Sequence, residues 1–225
     1  APAKKEERLE QFASRVEDRL FRMAPTAVIH RMVRDKDLAA EDQNVRQGLL
    51  AFFDNQPELD FRKTSVLKIL QDPDSLKMVP EGHRPAVTDH LKILQRLSAV
   101  STKAEALPSL MKAGLDSAYA INEIPYERFV AMYADSLGGE TAAKQVHRRA
   151  QAIMARNERG LISLRDEVLS PSVNMVHAGL SSDDRVALAI EMARQKNIPV
   201  NMETLFGGVD FCECRHCNSV YSPAA

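Results

Sequence analysis

The chain has 225 residues, 44% of them hydrophobic, with 30 basic and 31 acidic side chains and a formal net charge of −1. That is enough chain and apolar content for one large or two small domains, and the balanced charge removes any global pull towards nucleic acid or an anionic membrane surface. No run reaches the ~18 apolar residues a membrane span needs, and the charged start Ala1-Pro2-Ala3-Lys4-Lys5-Glu6-Glu7-Arg8 lacks a following apolar stretch, so neither a span nor a classical signal peptide is expected in this segment.

Over residues 5–23, Leu9, Phe12, Val16, Leu20 and Met23 recur at steps of three or four among Glu, Lys and Arg, which predicts one apolar stripe on an exposed helix. Pro25 interrupts it and opens a short second helix over 26–33. Val45, Leu49, Leu50, Phe52 and Phe53 form the face of a third helix that ends before Pro57. A brief helix is expected at 66–70. Pro73, Pro80, Gly82 and Pro85 make 71–85 the densest cluster of breakers, hence a surface loop and the place for any subdomain break.

From Pro85 to Leu97, the residues Val87, Leu91, Leu94 and Leu97 share one side of a helix that gives way at 98–102. A helix over 103–112 follows, closed by Gly114 as a left-handed cap. Asp116-Ser117 starts a brief helix carrying Ala118 and Ile121, and Pro125 opens one with Tyr126, Phe129, Val130, Tyr133 and Leu137 on one face, ended by Gly138-Gly139. Thr141 is placed to cap a helix reaching Asn157, with Ala143, Val146, Ala150 and Ile153 inward. Further helices are expected at 161–168 and 182–195, the latter opened by Ser181-Ser182-Asp183-Asp184. No strand-like alternation exceeds four residues. The class is all-α: a compact array of about nine to eleven short helices with Pro/Gly corners, 1–225 being one helical domain or a fragment of a larger one.

Gly114 between two short helices has the outline of a helix-hairpin-helix, but the second glycine is missing and Asp116 stands where a phosphate would approach. A packed corner is expected there, and no nucleic-acid partner. The six histidines (His30, His83, His90, His147, His177, His216) share no spacing, and no phosphate loop, His-Glu-x-x-His or calcium-loop pattern occurs. No catalytic residue and no cofactor are expected. Arg148, Arg149 and Arg156 are assigned to a solvated helix face.

All three cysteines fall within six positions, Cys212-Glu213-Cys214-Arg215-His216-Cys217. Three thiolates at this spacing could surround zinc at about 2.3 Å each. His216 adjoins Cys217, so a fourth ligand would have to come from elsewhere, such as His177. An internal disulfide and reduced, partly buried thiols are the other readings.

The run Leu205-Phe206-Gly207-Gly208 followed by Asp210-Phe211-Cys212-Glu213-Cys214-Arg215-His216-Cys217-Asn218-Ser219-Val220-Tyr221-Ser222-Pro223-Ala224-Ala225 closely resembles the Cys-x-Cys-x-x-Cys-x-Ser-Val-x-Ser-Pro-Ala-Ala signature of the Salmonella virulence plasmid A protein family. That family includes the A components of the insecticidal toxin complexes (Tc toxins). Upstream, Asn55-Gln56-Pro57-Glu58-Leu59-Asp60 is similar to the family's Asn-x-Pro-x-x-Asp turn. Leu94-Gln95-Arg96-Leu97 and 110–121 are similar to its helical core. The resemblance implies a non-enzymatic segment of the N-terminal α-helical shell of a much larger, pentameric A subunit. It also implies partners among that subunit's own domains and copies and the B/C-type toxin subunits, and a secreted or bacterial cell-surface location. It assigns no catalytic residue and no metal; 205–225 would be the cysteine-rich signature, and Ser222-Pro223-Ala224-Ala225 the start of a further helix. The chemical alternatives are a zinc-stabilised interaction module using Cys212, Cys214 and Cys217, and a free-standing virulence-associated effector. Apolar helix faces should remain uncovered over several hundred Å².

Overall fold

The computed structural model describes residues 2–38 and 42–169, together with Asp184. Among them are nine α-helices, two 3-10 turns and no strand, as the periodicities predict. The chain divides into two compact units, Ala1–Arg149 and Ala150–Ala225.

In the first unit α1 (Pro2–Met23) is followed by α2 (Pro25–Asp35), where Pro25 occupies the first turn, a place in which its missing N–H costs nothing. Lys36 ends α2 in a left-handed conformation, φ 67°. α3 (Gln43–Asn55) starts on Asp42, whose carboxylate accepts from Asn44 N at 2.8 Å, and stops two residues before Pro57. α4 (Val66–Ile69) is the short helix expected there. The breaker-rich 71–85 segment carries two 3-10 turns, Pro73–Leu76 and Glu81–His83.

The central element is α5 (Arg84–Val100), which contacts α3 and α4 as well as α6 (Ala106–Lys112) and α7 (Ala118–Asn122). Val87, Leu91, Leu94, Leu97 and Val100 are all buried along it, each contributing about 2 kcal/mol by leaving water. The helix therefore runs three residues past the predicted end at Leu97, because Val100 still meets the core. Gly48 of α3 explains how closely the elements approach: a Cβ there would stand 2.6 Å from Val87 Cγ2 and 3.2 Å from Val79 Cγ1.

Gly114, φ 69°, closes α6 as predicted, with Leu115 N bonding back to Leu110 O at 3.0 Å and both leucines buried. α7 is capped by Ser117 Oγ, which accepts from Ala120 N. α8 (Tyr126–Tyr133) is shorter than its apolar face suggests, since Leu137 reaches the core from the turn that follows. Gly138 and Gly139, both at positive φ, lead into α9 (Glu140–Leu169).

α9 corrects two expectations. It begins at Glu140, so Thr141 lies inside the helix rather than capping it. It also continues through Gly160, so the predicted helices 141–157 and 161–168 are one of 30 residues. A lone glycine costs a helix about 1 kcal/mol, less than is needed to stop it. Of the second unit, Ala150 and Met154 are buried, Ile153 is half-buried, and Asp184 is helical, within the span 182–195 where a helix is expected.

Candidate functional site

The turn singled out by resemblance, Asn55 to Asp60, is a structural clamp. Asp60 Oδ1 accepts from Arg62 N at 3.0 Å, and its two oxygens take the Arg62 guanidinium side-on at 3.1 and 2.8 Å. The Arg62 hydrogen bonds, reinforced by the neighbouring Lys63 charge, hold the Asp60 carboxyl down at about 2. Arg62 also donates to Arg22 O at the end of α1, and Thr26 Oγ1 accepts from the buried Phe61 N at 2.8 Å. Across from them Gln95 of α5 uses its whole amide: Nε2 donates to Phe61 O (3.0 Å) and Thr64 O (2.8 Å), and Oε1 accepts from Val66 N (2.9 Å). These groups fix a corner: Gln95 spends its whole amide on backbone, and Asp60 and Arg62 are spent on each other and on backbone.

The histidines stay apart. His30 stacks on Phe53 and reaches Asp54 at 3.2 Å, while His90 Nδ1 meets Ala86 O within its own helix. His147 is buried against Tyr126 and Phe129 and donates from Nε2 to Ile124 O at 2.8 Å; its Nδ1 faces no partner among the described residues. Among the described residues no three His, Cys, Asp or Glu side chains are grouped for a metal ion. His177, His216 and the candidate ligands Cys212, Cys214 and Cys217 lie outside the described residues. The Gly114 corner is a packed one. Arg96 donates to Asp116 O at 3.2 Å and pairs with its carboxylate at 3.7 Å, occupying the position where a phosphate would approach.

Two surfaces of the first unit stand out instead. One is an open cleft of about 600 Å³ where the last turns of α1, the Thr102-Lys103 corner and the start of α9 meet. Arg22, Lys103, Arg148 and Arg149 line it with only Asp18 opposing them, a local excess of positive charge in a nearly neutral chain. Arg148, Arg149 and Arg156 are exposed, as their assignment to a solvated helix face expects, and Arg149 also donates to Ser101 O at 3.1 Å. The site suits an acidic side chain or another small anion, and the residues lining it include no nucleophile–base pair.

The other is α1. Its predicted stripe is fully outward: Leu9, Phe12, Val16, Leu20 and Met23 are 60, 66, 39, 51 and 56% exposed. The helix is seated by its opposite side, where Phe21 is buried and Ser14 and Asp18 are half-buried. No family model, curated protein or solved structure matches this chain. The site is therefore defined by its own chemistry, an uncovered apolar face on a helix held to the unit from behind. Among the described residues no helix is long and apolar enough to cross a membrane. Exposed apolar faces of this size mark protein or membrane interaction sites.

Proposed function

We propose that this chain is a non-enzymatic structural segment of a Tc-toxin-like A subunit, part of its α-helical shell. There it serves toxin assembly, host-cell attachment and translocation of a toxic partner through packing and subunit contacts. The observation that carries the reading is the terminal run Cys212-Glu213-Cys214-Arg215-His216-Cys217-Asn218-Ser219-Val220-Tyr221-Ser222-Pro223-Ala224-Ala225, whose cysteine spacing and following residues together resemble the family signature. Two structural features support it. The regular structure among the described residues is helical with no strand, polar clusters are spent on fixing corners, and one long helix keeps an apolar face in water.

An antibody raised against this chain tests the reading in the source cells. The expected result is a secreted or surface-bound polypeptide several times the 25.1 kDa of this chain, migrating as a large homo-oligomeric particle on a native gradient. A polypeptide of about this mass that works alone would overturn it in favour of a free-standing effector.

A further inference from the structure

We propose that the cleft between the end of α1, the Thr102-Lys103 corner and the start of α9 binds a small soluble molecule through a phosphate group carrying two or more negative charges. The inference is independent of the shell reading and gives the first unit a ligand of its own.

The cavity, about 600 Å³, lies within the size range of small-molecule pockets, and every residue lining it belongs to the first unit. Its charge is the first support. Arg22, Lys103, Arg148 and Arg149 converge on it from three elements, and Asp18 alone carries the opposite sign. None of the four cations has a carboxylate partner among the described residues. By contrast Arg31, Arg62 and Lys144 are balanced by Asp35, Asp60 and Glu140. Four like charges held around one cavity repel each other, and a bound anion relieves that repulsion.

The second support is that the cations are held in place. Ser101, buried at the corner, donates from Oγ to Lys103 O at 2.6 Å and accepts from Lys103 N at 3.3 Å, and its carbonyl takes Arg149 Nη1 at 3.1 Å. Arg22 is anchored in the same way, its Nε donating to Asp18 O at 3.1 Å. Each of these guanidinium groups spends one N–H on backbone and keeps the others for a ligand. Lys103 is half-buried, and its Nζ stands beside Gly138, 3.8 Å from where a Cβ would be.

Charge and shape then choose the ligand. Four cations less one carboxylate leave three net positive charges on the lining, more than a single acidic side chain neutralises. A phosphate monoester brings nearly two negative charges at pH 7, and its oxygens match the guanidinium fork. A bare phosphate ion would fill only a small part of the cavity, so the ligand carries an organic group as well.

Isothermal titration of the full chain with sodium pyrophosphate, at low salt and pH 7, tests this. One site per chain with a Kd of about 1 mM or tighter is expected, weakening as added salt screens the charges. Arg148→Glu and Lys103→Met should each weaken binding at least about tenfold, whereas Lys77→Glu, at an exposed position outside the cleft, should not change it. Asp18→Asn should tighten binding, a gain that a purely structural role for Asp18 would not give. In a spectrum of protein carrying isotope-labelled glycine, pyrophosphate should move the Gly138 signal and leave Gly48 and Gly82 in place, which locates the site even if a variant fails to fold. No binding at about 10 mM, or binding that none of the cleft substitutions changes, overturns the proposal. Citrate bound as tightly as pyrophosphate overturns the phosphate class. Capture by vesicles containing phosphatidic acid, with pyrophosphate failing to compete, overturns the soluble ligand. None of these outcomes bears on the size of the polypeptide in the antibody experiment, so the two readings fail separately.

Discussion

Gln95→Ala should be among the most damaging single changes to a polar side chain in the first unit. The amide makes three hydrogen bonds at 2.8–3.0 Å, all to the backbone of the 61–66 segment. Val66 N is a first-turn donor of α4, and Ser65 offers it no side-chain cap, so Gln95 is its partner. At about 1 kcal/mol net for each bond, truncation should cost 2–3 kcal/mol, the lower figure applying where water reaches the half-buried carbonyls. With a urea slope of about 2 kcal/mol/M for a unit of this size, the midpoint should fall by about 1 M. Gln95→Glu sharpens the test, because a carboxylate has no donor and sets negative charge against the Phe61 and Thr64 carbonyls. It should be worse than alanine at pH 7. Those carbonyls would raise its folded-state pKa, so acidification should restore part of the loss. An alanine variant within about 0.5 kcal/mol of wild type, or a glutamate variant no worse than alanine, would refute the assignment of Gln95 as the clamp.

Asp60 is held at about 2 against an ordinary 3.8, so its contribution is present above pH 4 and is lost as pH falls towards 2. Arg62 is half exposed, which screens the pair, and Asp60→Asn should cost about 1 kcal/mol at pH 7 and almost nothing near pH 2 in urea titrations at the two pH values. Gly48→Ala drives a methyl into Val87 and should lower thermal stability by about 1–3 kcal/mol although alanine is the better helix former, a result calorimetry would show. Elemental analysis should find no stoichiometric zinc, and chelator should leave the melting temperature unmoved; one equivalent of zinc and a large loss of stability would instead favour the knuckle of Cys212, Cys214 and Cys217.

Much of the helical order is legible in sequence because it rests on local chemistry. Pro25 opens α2, Gly114 turns left-handed after α6, and the apolar positions of α5 recur at the helical period. What escapes is set by partners distant in sequence. Gln95 reads as an ordinary polar residue on a helix until residues 61–66 are seen folded against it, and 29 to 34 positions separate it from the groups it holds. Gly48 did carry a signal: a glycine inside an apolar helical run weakens the helix and needs a reason, here close approach to Val79 and Val87. Arg148 and Arg149 are exposed as a helical wheel indicates, but their nearness to Arg22 and Lys103 depends on elements distant in sequence. Periodicity located the α1 stripe, and the expectation of an uncovered apolar helix face is met there.

The outward stripe plays no part in seating α1 on its unit. One large side chain, Phe21, seats the helix, while five on the other side stay in water. Burying those five would be worth roughly 12 kcal/mol by area alone, far more than Phe21 supplies, so the helix could have turned its stripe inward had the unit needed it for its core. The unit does not need it, because Phe52, Phe129, Leu91, Leu94 and Leu97 close the core without it. The apolar face of α1 is thus kept outward on a helix held from behind, with Arg8, Arg15 and Arg19 and Glu17 also exposed along it. Removing residues 2–16 should therefore leave the melting temperature within a few degrees of wild type. A collapse of the fold on that deletion would show that the stripe serves the monomer after all.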